Sequence, residues 1–247
     1  MAATCLRAQE QGLKALAFTE HADYSALCQG ARLDVEGYLE AIEDCRRRFP
    51  RLAILTGVEL GEPHRHRNEV EDVLLRGRFD AVLGSVHSVP VDGADLEFSE
   101  LGADPAVDAE TLMRGYCQEL VALIEGSVQF EILAHVEYAR RFWPASWQPY
   151  RSSDYSDLIQ EVLATAARKG VVLEFNTTRG GSLCPAPEVL RWWRQAGGKS
   201  VSLGSDAHDP TKVGAGFDRA AKLATQAGFE PSLARVGIWS RLAEPPL

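Results

Sequence analysis

Six times along this chain a short apolar run that reads as a buried strand carries, or stops just short of, a side chain able to bind a cation. The runs Leu13 to Thr19, Leu52 to Leu60, Phe79 to Val86, Val128 to Ala134, Val171 to Phe175 and the one opening at Val201 deliver His21, Glu59, His87, His135, Glu174 and the pair Asp206 and His208. Continuous apolar strands are buried on both faces, which is the property of a parallel sheet covered by helices. The stretches between the runs read as those helices. Ala2 to Gln11 stops at Gly12, Asp34 can cap Val35 to Arg48, and a polar helix falls around Glu69 to Arg76. Asp108 can cap a long helix in which Leu112, Tyr116, Leu120 and Ile124 share a face. Further helices fall at Ser156 to Lys169, Pro187 to Gln195 and roughly Val213 to Ala227, before a short last strand at Val236 to Trp239.

Residues past the C-terminal ends of parallel strands gather at one mouth in a closed barrel and at one crevice in an open doubly wound sheet. Cation-binding types at nearly every strand end favour closure. Pro90 to Val107, rich in Gly, Asp and Pro, is expected to be an excursion over the surface. No linker divides the 247 residues, so one domain over 1–247 is expected.

Charge and cysteine usage narrow the class. A formal net charge of -9 argues against gripping nucleic acid, while leaving room for a small anion held by a few arginines and metals. Five cysteines without a C-x-x-C pair suit a reducing compartment. The N-terminus lacks a basic region followed by an apolar one, and no run reaches membrane-spanning length. The expectation is a cytoplasmic enzyme with no membrane or nucleic-acid partner and an oligomeric state left open. No G-x-S-x-G is present to make a serine nucleophile elbow.

Asp206 and His208 lie two apart just after Gly204 and Ser205, so in extended chain they face one side and can share a cation or a water. Mixed imidazole and carboxylate ligands suit zinc, manganese or iron, and a carboxylate can bridge two ions. Clustered cations activate water and neutralise phosphate oxygens, and arginine forks clamp phosphate. Gly180 and Gly181 beside Arg179 would let backbone approach an anion closely. Cys184 reads as a small loop residue, Trp143 and Trp147 as either a pocket wall or loop packing, and His64-Arg65-His66 as an exposed basic turn.

Phe18-Thr19-Glu20-His21-Ala22-Asp23, Gly57-Val58-Glu59, Gly84-Ser85-Val86-His87-Ser88, Ala134-His135, Leu173-Glu174-Phe175-Asn176-Thr177 and Gly204-Ser205-Asp206-Ala207-His208 resemble segments of the polymerase-and-histidinol-phosphatase (PHP) metallophosphoesterases. They run in that family's order, and Gly-Ser-Val-His-Ser with Glu-Phe-Asn-Thr resembles its histidinol-phosphatase branch. The resemblance implies a distorted barrel of seven β/α units, a cluster of up to three divalent metals, and hydrolysis of L-histidinol phosphate to L-histidinol and phosphate in histidine biosynthesis. It implies metal ligation by His21, Glu59, His87, His135, Asp206 and His208. Glu59 would bridge two ions, with His87 and His135 on one and Asp206 on the other, while His21 and His208 would hold the third. Glu59, Asp206 and His208 would carry catalysis, and Arg141 and Arg179 would bind the substrate phosphate. The alternatives are another PHP-family phosphoesterase and a non-catalytic barrel. Members of the family begin with a strand ending in His-x-His, whereas this chain opens inside the helix beyond it. The expectation is therefore a barrel lacking its first strand, either from a start placed too far downstream, which the intact downstream ligands favour, or as a genuinely truncated barrel, with fewer metals held as the chain is written.

Overall fold

Residues 1–24, 32–102, 106–126, 128 and 130–241 are described in the computed structural model of the chain. Helix α1 (Ala2–Glu10) leads into strand β1 (Ala15–Ala22), and α2 (Val35–Arg48) into β2 (Ala53–Gly61). Asp34 caps α2 by accepting from Gly37 N at 3.1 Å, as its place before an apolar stripe predicts. Helix α3 (Arg67–Arg76) precedes β3 (Ala81–Ser85). A hairpin, β4 (Ser88–Val91) with β5 (Ala94–Glu97), then intervenes before α4 (Ala109–Glu125) and β6 (Ile132–Leu133). The chain continues through α5 (Ser156–Lys169), β7 (Val172–Asn176), α6 (Pro187–Gln195), β8 (Ser200–Gly204) and α7 (Phe217–Gln226) to β9 (Phe229–Pro231) and β10 (Ile238–Arg241).

One sheet orders its strands β1-β2-β3-β6-β7-β8-β10-β9. Neighbours from β1 to β8 are parallel, and β10 runs antiparallel to both β8 and β9. The sheet curls into a half-barrel, as the expectation of an α/β barrel-type fold has it, and among the described residues its two edges do not pair, so the full closure expected is not seen. Residues of β1 and β8 both line a cavity of about 1160 Å³, which reaches Glu59 and Glu174 between them. Among the described residues, β1 pairs with β2 alone. Tyr38 of α2 tightens that pairing: its hydroxyl lies 2.9 Å from Phe18 O and 3.0 Å from Gly57 O as possible acceptors, and accepts from Gly57 N at 2.8 Å. Gly57 is required there, because a Cβ would come within 2.6 Å of Phe18 O.

The main core lies between the sheet and α4, α5 and α6, with Tyr116, Leu120, Phe175 and Trp193 fully enclosed. A second cluster joins α1 and α2 to β1 and β2 through Cys5, Phe18, Ile42 and Ile54.

Three expectations change. Pro90 to Val107 is no mere surface excursion: Asp92 (φ 49°) and Gly93 (φ 81°) make the tight turn of the β4–β5 hairpin, and Phe98 behind it is wholly buried against Tyr116. Residues 103–105 of that stretch lie outside the described ones. The strand expected over Val128 to Ala134 spans Ile132–Leu133, with residues 127 and 129 outside the described ones. The last helix starts at Phe217 rather than Val213, because Gly214 and Gly216 take positive φ ahead of it. Among the described residues no helix is long and apolar enough to cross a membrane.

Candidate metal centre

Parallel register sets the first pair: His21 near the end of β1 lies opposite Glu59 in β2. His87 sits in the two-residue link between β3 and β4, and His135 two residues beyond β6. These short overruns turn both imidazoles toward the same carboxylate. Glu59 Oε1 lies 3.1 Å from His87 Nε2 and 2.7 Å from His135 Nε2, while Oε2 lies 3.9 Å from His21 Nε2. Glu59, His87 and His135 are all buried.

Asp23, two residues past His21, was not singled out from sequence. Its Oδ2 lies 2.9 Å from His21 Nδ1 and its Oδ1 3.4 Å from His87 Nδ1, so both imidazoles present the opposite nitrogen toward Glu59. That is how a carboxylate fixes the tautomer of a metal-binding histidine. The signal available was a His-x-Asp pair at a strand end, the mirror of Asp206-x-His208.

Two donor sets that could hold a cation share His87: Glu59 with His87 and His135, and His21 with Asp23 and His87. The electrostatics fit such an occupant. The hydrogen bond to Asp23 raises His21 to about 9 against the lowering effect of burial, with Glu59 adding to the rise. Burial alone would depress His87, but Asp23 and Glu59 push it well above the ordinary imidazole range. Burial works to raise Glu59 and Asp23, yet the facing imidazoles hold both below the ordinary carboxylate range. Without a metal, this pocket keeps its carboxylates charged by gathering protons on imidazoles, and a divalent cation can replace those protons. His135 Nδ1 is buried with no hydrogen-bond partner among the described residues.

The remaining expected ligands stand across the same cavity, which is lined by His21, Glu59, Asp206 and His208. Asp206, held at φ 51° after β8, makes a close ion pair with Arg141 Nη1, and its Oδ1 lies 3.3 Å from His208 Nδ1. Asp206 is thus satisfied by arginine and histidine, apart from the two donor sets that share His87. The His208 side chain is 56% exposed, and its ring stands 5.8 Å from that of His21. Arg179 Nε donates to Asp206 O at 2.9 Å, and its Nη2 lies 3.0 Å from His208 Nδ1. Thr178 and Arg179 both have positive φ, in a turn where Asn176 Oδ1 accepts from Thr178 N at 2.7 Å. Arg141 rises from the 3-10 turn Tyr138–Phe142 over the Tyr138 ring, and its Nε and Nη2 are buried without a hydrogen-bond acceptor among the described residues.

Other expectations resolve as follows. Glu174 accepts from His135 N at 2.8 Å and from Asn176 Nδ2 at 3.1 Å, with its carboxyl pushed up by burial. It holds the backbone of His135. A Cβ on Gly204 would overlap its Oε1, so glycine leaves it room. Cys184 turns its thiol to His135 O and Val136 O at 3.3 and 3.1 Å, and burial pushes its pKa up, which makes it a structural thiol. Trp143 packs on Trp147 and Tyr150, which is loop packing rather than a cavity wall. Arg140 donates to Leu183 O at 3.3 Å. His64-Arg65-His66 is not the exposed basic turn expected: His64 Nε2 pairs with Glu119 at 2.8 Å, and the His64 and Arg65 side chains are 10% and 21% exposed.

The chain is similar to known proteins both in sequence and in fold. The chain is 27% identical over 221 residues to a probable histidinol-phosphatase of Clostridium acetobutylicum, covering 86% of this chain and 82% of the relative. It is 29% identical over 230 residues to a probable histidinol-phosphatase of Deinococcus radiodurans, covering 87% and 82%. In fold it is similar to the crystal structure of histidinol phosphate phosphatase from Lactococcus lactis subsp. lactis complexed with zinc, L-histidinol and phosphate. That likeness has a TM-score of 0.75 and 23% identity over 92% of this chain and 86% of the other. The family model described as PHP domain matches residues 1–178, and on that match the chain belongs to the PHP domain family.

Proposed function

We propose that the chain is a divalent-metal-dependent phosphomonoesterase that hydrolyses L-histidinol phosphate to L-histidinol and phosphate in histidine biosynthesis. The observation that carries the reading is the convergence of His87 and His135 on one buried carboxylate, Glu59, near Arg141, two of whose guanidinium nitrogens have no acceptor among the described residues. Its support from relatives is that two probable histidinol-phosphatases match over 86% and 87% of this chain.

Glu59, His87 and His135 would hold one cation, and His21, Asp206 and His208 are the further ligands proposed, with zinc or manganese as the metals that suit the donor set. Divalent ions there would supply Lewis acidity toward phosphate oxygens and lower the pKa of the attacking water. The chain's own residues do the rest. Asp23 and Glu174 orient His21, His87 and His135. Arg141 and Arg179 flank Asp206 from two sides, and a substrate phosphate entering there would compete with that carboxylate for their donors. The half-exposed Arg179 at the rim would meet the phosphate first, and Arg141, whose side chain is 14% exposed, would fix it. Glu59, Asp206 and His208 are the proposed catalytic side chains. Residues 1–247 are proposed to act as one PHP-type domain, in the cytoplasm, where the cysteine usage fits a reducing milieu.

Phosphate release from L-histidinol phosphate by Zn²⁺- or Mn²⁺-loaded protein tests the reading. Loss of an outer hydrogen-bond partner of a ligand costs roughly 10–100-fold, so removing a ligand outright in His135→Ala should cost more than about 100-fold. No release at any metal loading would overturn the substrate assignment.

A further inference from the structure

The segment after β2 carries a charged assembly that the chemistry above does not use. Glu62 is 1% exposed and holds φ 41°, an unusual conformation for a glutamate. Its Oε1 accepts from His87 N at 2.5 Å and from Ser88 N at 2.9 Å. Arg65 lies one turn on, its own amide donating to Glu62 O at 2.9 Å. Its guanidinium reaches three elements: Nη2 donates to Ser88 O at 3.1 Å and Ser88 Oγ at 2.7 Å in β4, Nη1 to Asp95 of β5 at 2.5 Å, and Nε stands 3.2 Å from Glu119 of α4. The same nitrogen Nη2 lies 3.5 Å from Glu62 Oε1. His64 completes the cluster by pairing with Glu119.

The link that bears His87 is only two residues long, and both its backbone exit and the strand beyond are gripped by these two side chains. A buried carboxylate is costly to desolvate without partners, and here it has two amides and a guanidinium. Arg65 fits this place as lysine would not, because a planar fork can serve several acceptors at once while a point ammonium cannot.

We propose that Glu62 and Arg65 form a charge clamp that positions His87 for metal binding, making the Arg of His64-Arg65-His66 a positioning residue rather than a surface charge. Neither touches a reacting atom. The clamp sets the height of the His87 backbone, as Asp23 sets the orientation of its ring. The inference rests on the reading of His87 as a metal ligand, and its test separates the two.

The test is Co²⁺ titration of the metal-free chain, followed by affinity and by the visible absorption of the bound ion, for wild type and for Arg65→Met, Glu62→Ala, Glu62→Gln and Arg67→Ala. Arg65→Met keeps the packed stem and removes the fork; it and Glu62→Ala should weaken Co²⁺ binding by roughly 10–100-fold and change the absorption envelope. Glu62→Gln keeps an acceptor for the two amides and should recover most of the affinity. Arg67→Ala, which removes an exposed ion pair with Glu71, should match wild type in affinity and spectrum. A merely structural role would lower the urea midpoint of the metal-free protein while leaving the Co²⁺ spectrum of the folded fraction unchanged, and that result overturns the proposal. Arg65→Met binding Co²⁺ with wild-type affinity also overturns it, and decides the matter if Glu62→Ala fails to fold. A wild-type chain that takes up no Co²⁺ overturns the metal-centre reading and the clamp with it, whereas equal uptake by wild type and variants overturns the clamp alone.

Discussion

Glu59 draws His87, His135 and His21 to one point, and each of the four was recognisable in sequence as a cation-binding type at the end of an apolar run. Their partners were not. Asp23, Glu62 and Glu174 owe their roles to groups 25 to 64 residues away or to a backbone amide on another strand, and an isolated carboxylate in a sequence carries no sign of which amide it will accept from. Asp206 was legible as part of Asp-x-His, yet its ion pair with Arg141 follows from the approach of two loops that are 65 residues apart. The charges of this cluster make a pH prediction for the metal-free protein. His21 is raised from 6.5 to about 9, so its contribution to stability is fully present below about 6.5 and is lost as pH climbs through about 9; the rise in His87 acts in the same direction. Asp23 and Glu59 are depressed, so their contribution is present above their unfolded values near 4 and is lost as pH falls below them. Urea midpoints measured in chelator should therefore decline from pH 6.5 to pH 9.5, and His21→Asn should flatten that decline. A slope unchanged by the substitution would contradict the assignment.

Strands and helices were mostly readable, because period and capping residues act locally: Asp34 and Asp108 cap the helices they precede, and Gly170 ends α5 in a left-handed conformation. The β4–β5 hairpin was missed although Asp92-Gly93 announces a tight turn, since a composition rich in Gly and Pro also describes an irregular loop. Strand β9 gave little local signal, being three residues long and dependent on β10 for its pairing. At this scale Gly204→Ala is the informative substitution. A methyl at the end of β8 would overlap the Glu174 carboxylate and displace it from His135 N, without touching any proposed ligand. The expected outcome is Zn²⁺ affinity weakened by roughly tenfold in calorimetric titration, with circular dichroism unchanged. Affinity equal to that of wild type would show that Glu174 does not support His135.

In the whole molecule, six parallel strands deliver their ends to one side of a sheet whose edges among the described residues are β1 and β9, and a cavity lined by β1 and β8 brings together His21, Glu59, Asp206 and His208. Alternating apolar runs made the parallel α/β architecture legible. They could not reveal whether the sheet closes, because closure depends on what pairs with an edge rather than on any one strand's pattern. Ligands contributed by separate strands should tie the sheet together, so metal loading should stabilise the entire fold. Cation at a hundred times its dissociation constant adds about 2.7 kcal/mol. For a chain of this size that is a rise of roughly 5–10 °C in Tm, reversed by chelator. A Tm indifferent to metal would contradict this.

Anomalous diffraction at the zinc edge, from crystals of this chain grown with Zn²⁺, tests most directly whether residues scattered from 21 to 208 build one metal centre. A zinc ion bound at this centre gives an anomalous peak about 2.0–2.2 Å from a carboxylate oxygen of Glu59 and from a ring nitrogen of His87 or His135. A crystal containing zinc elsewhere, with no peak against Glu59, would contradict it.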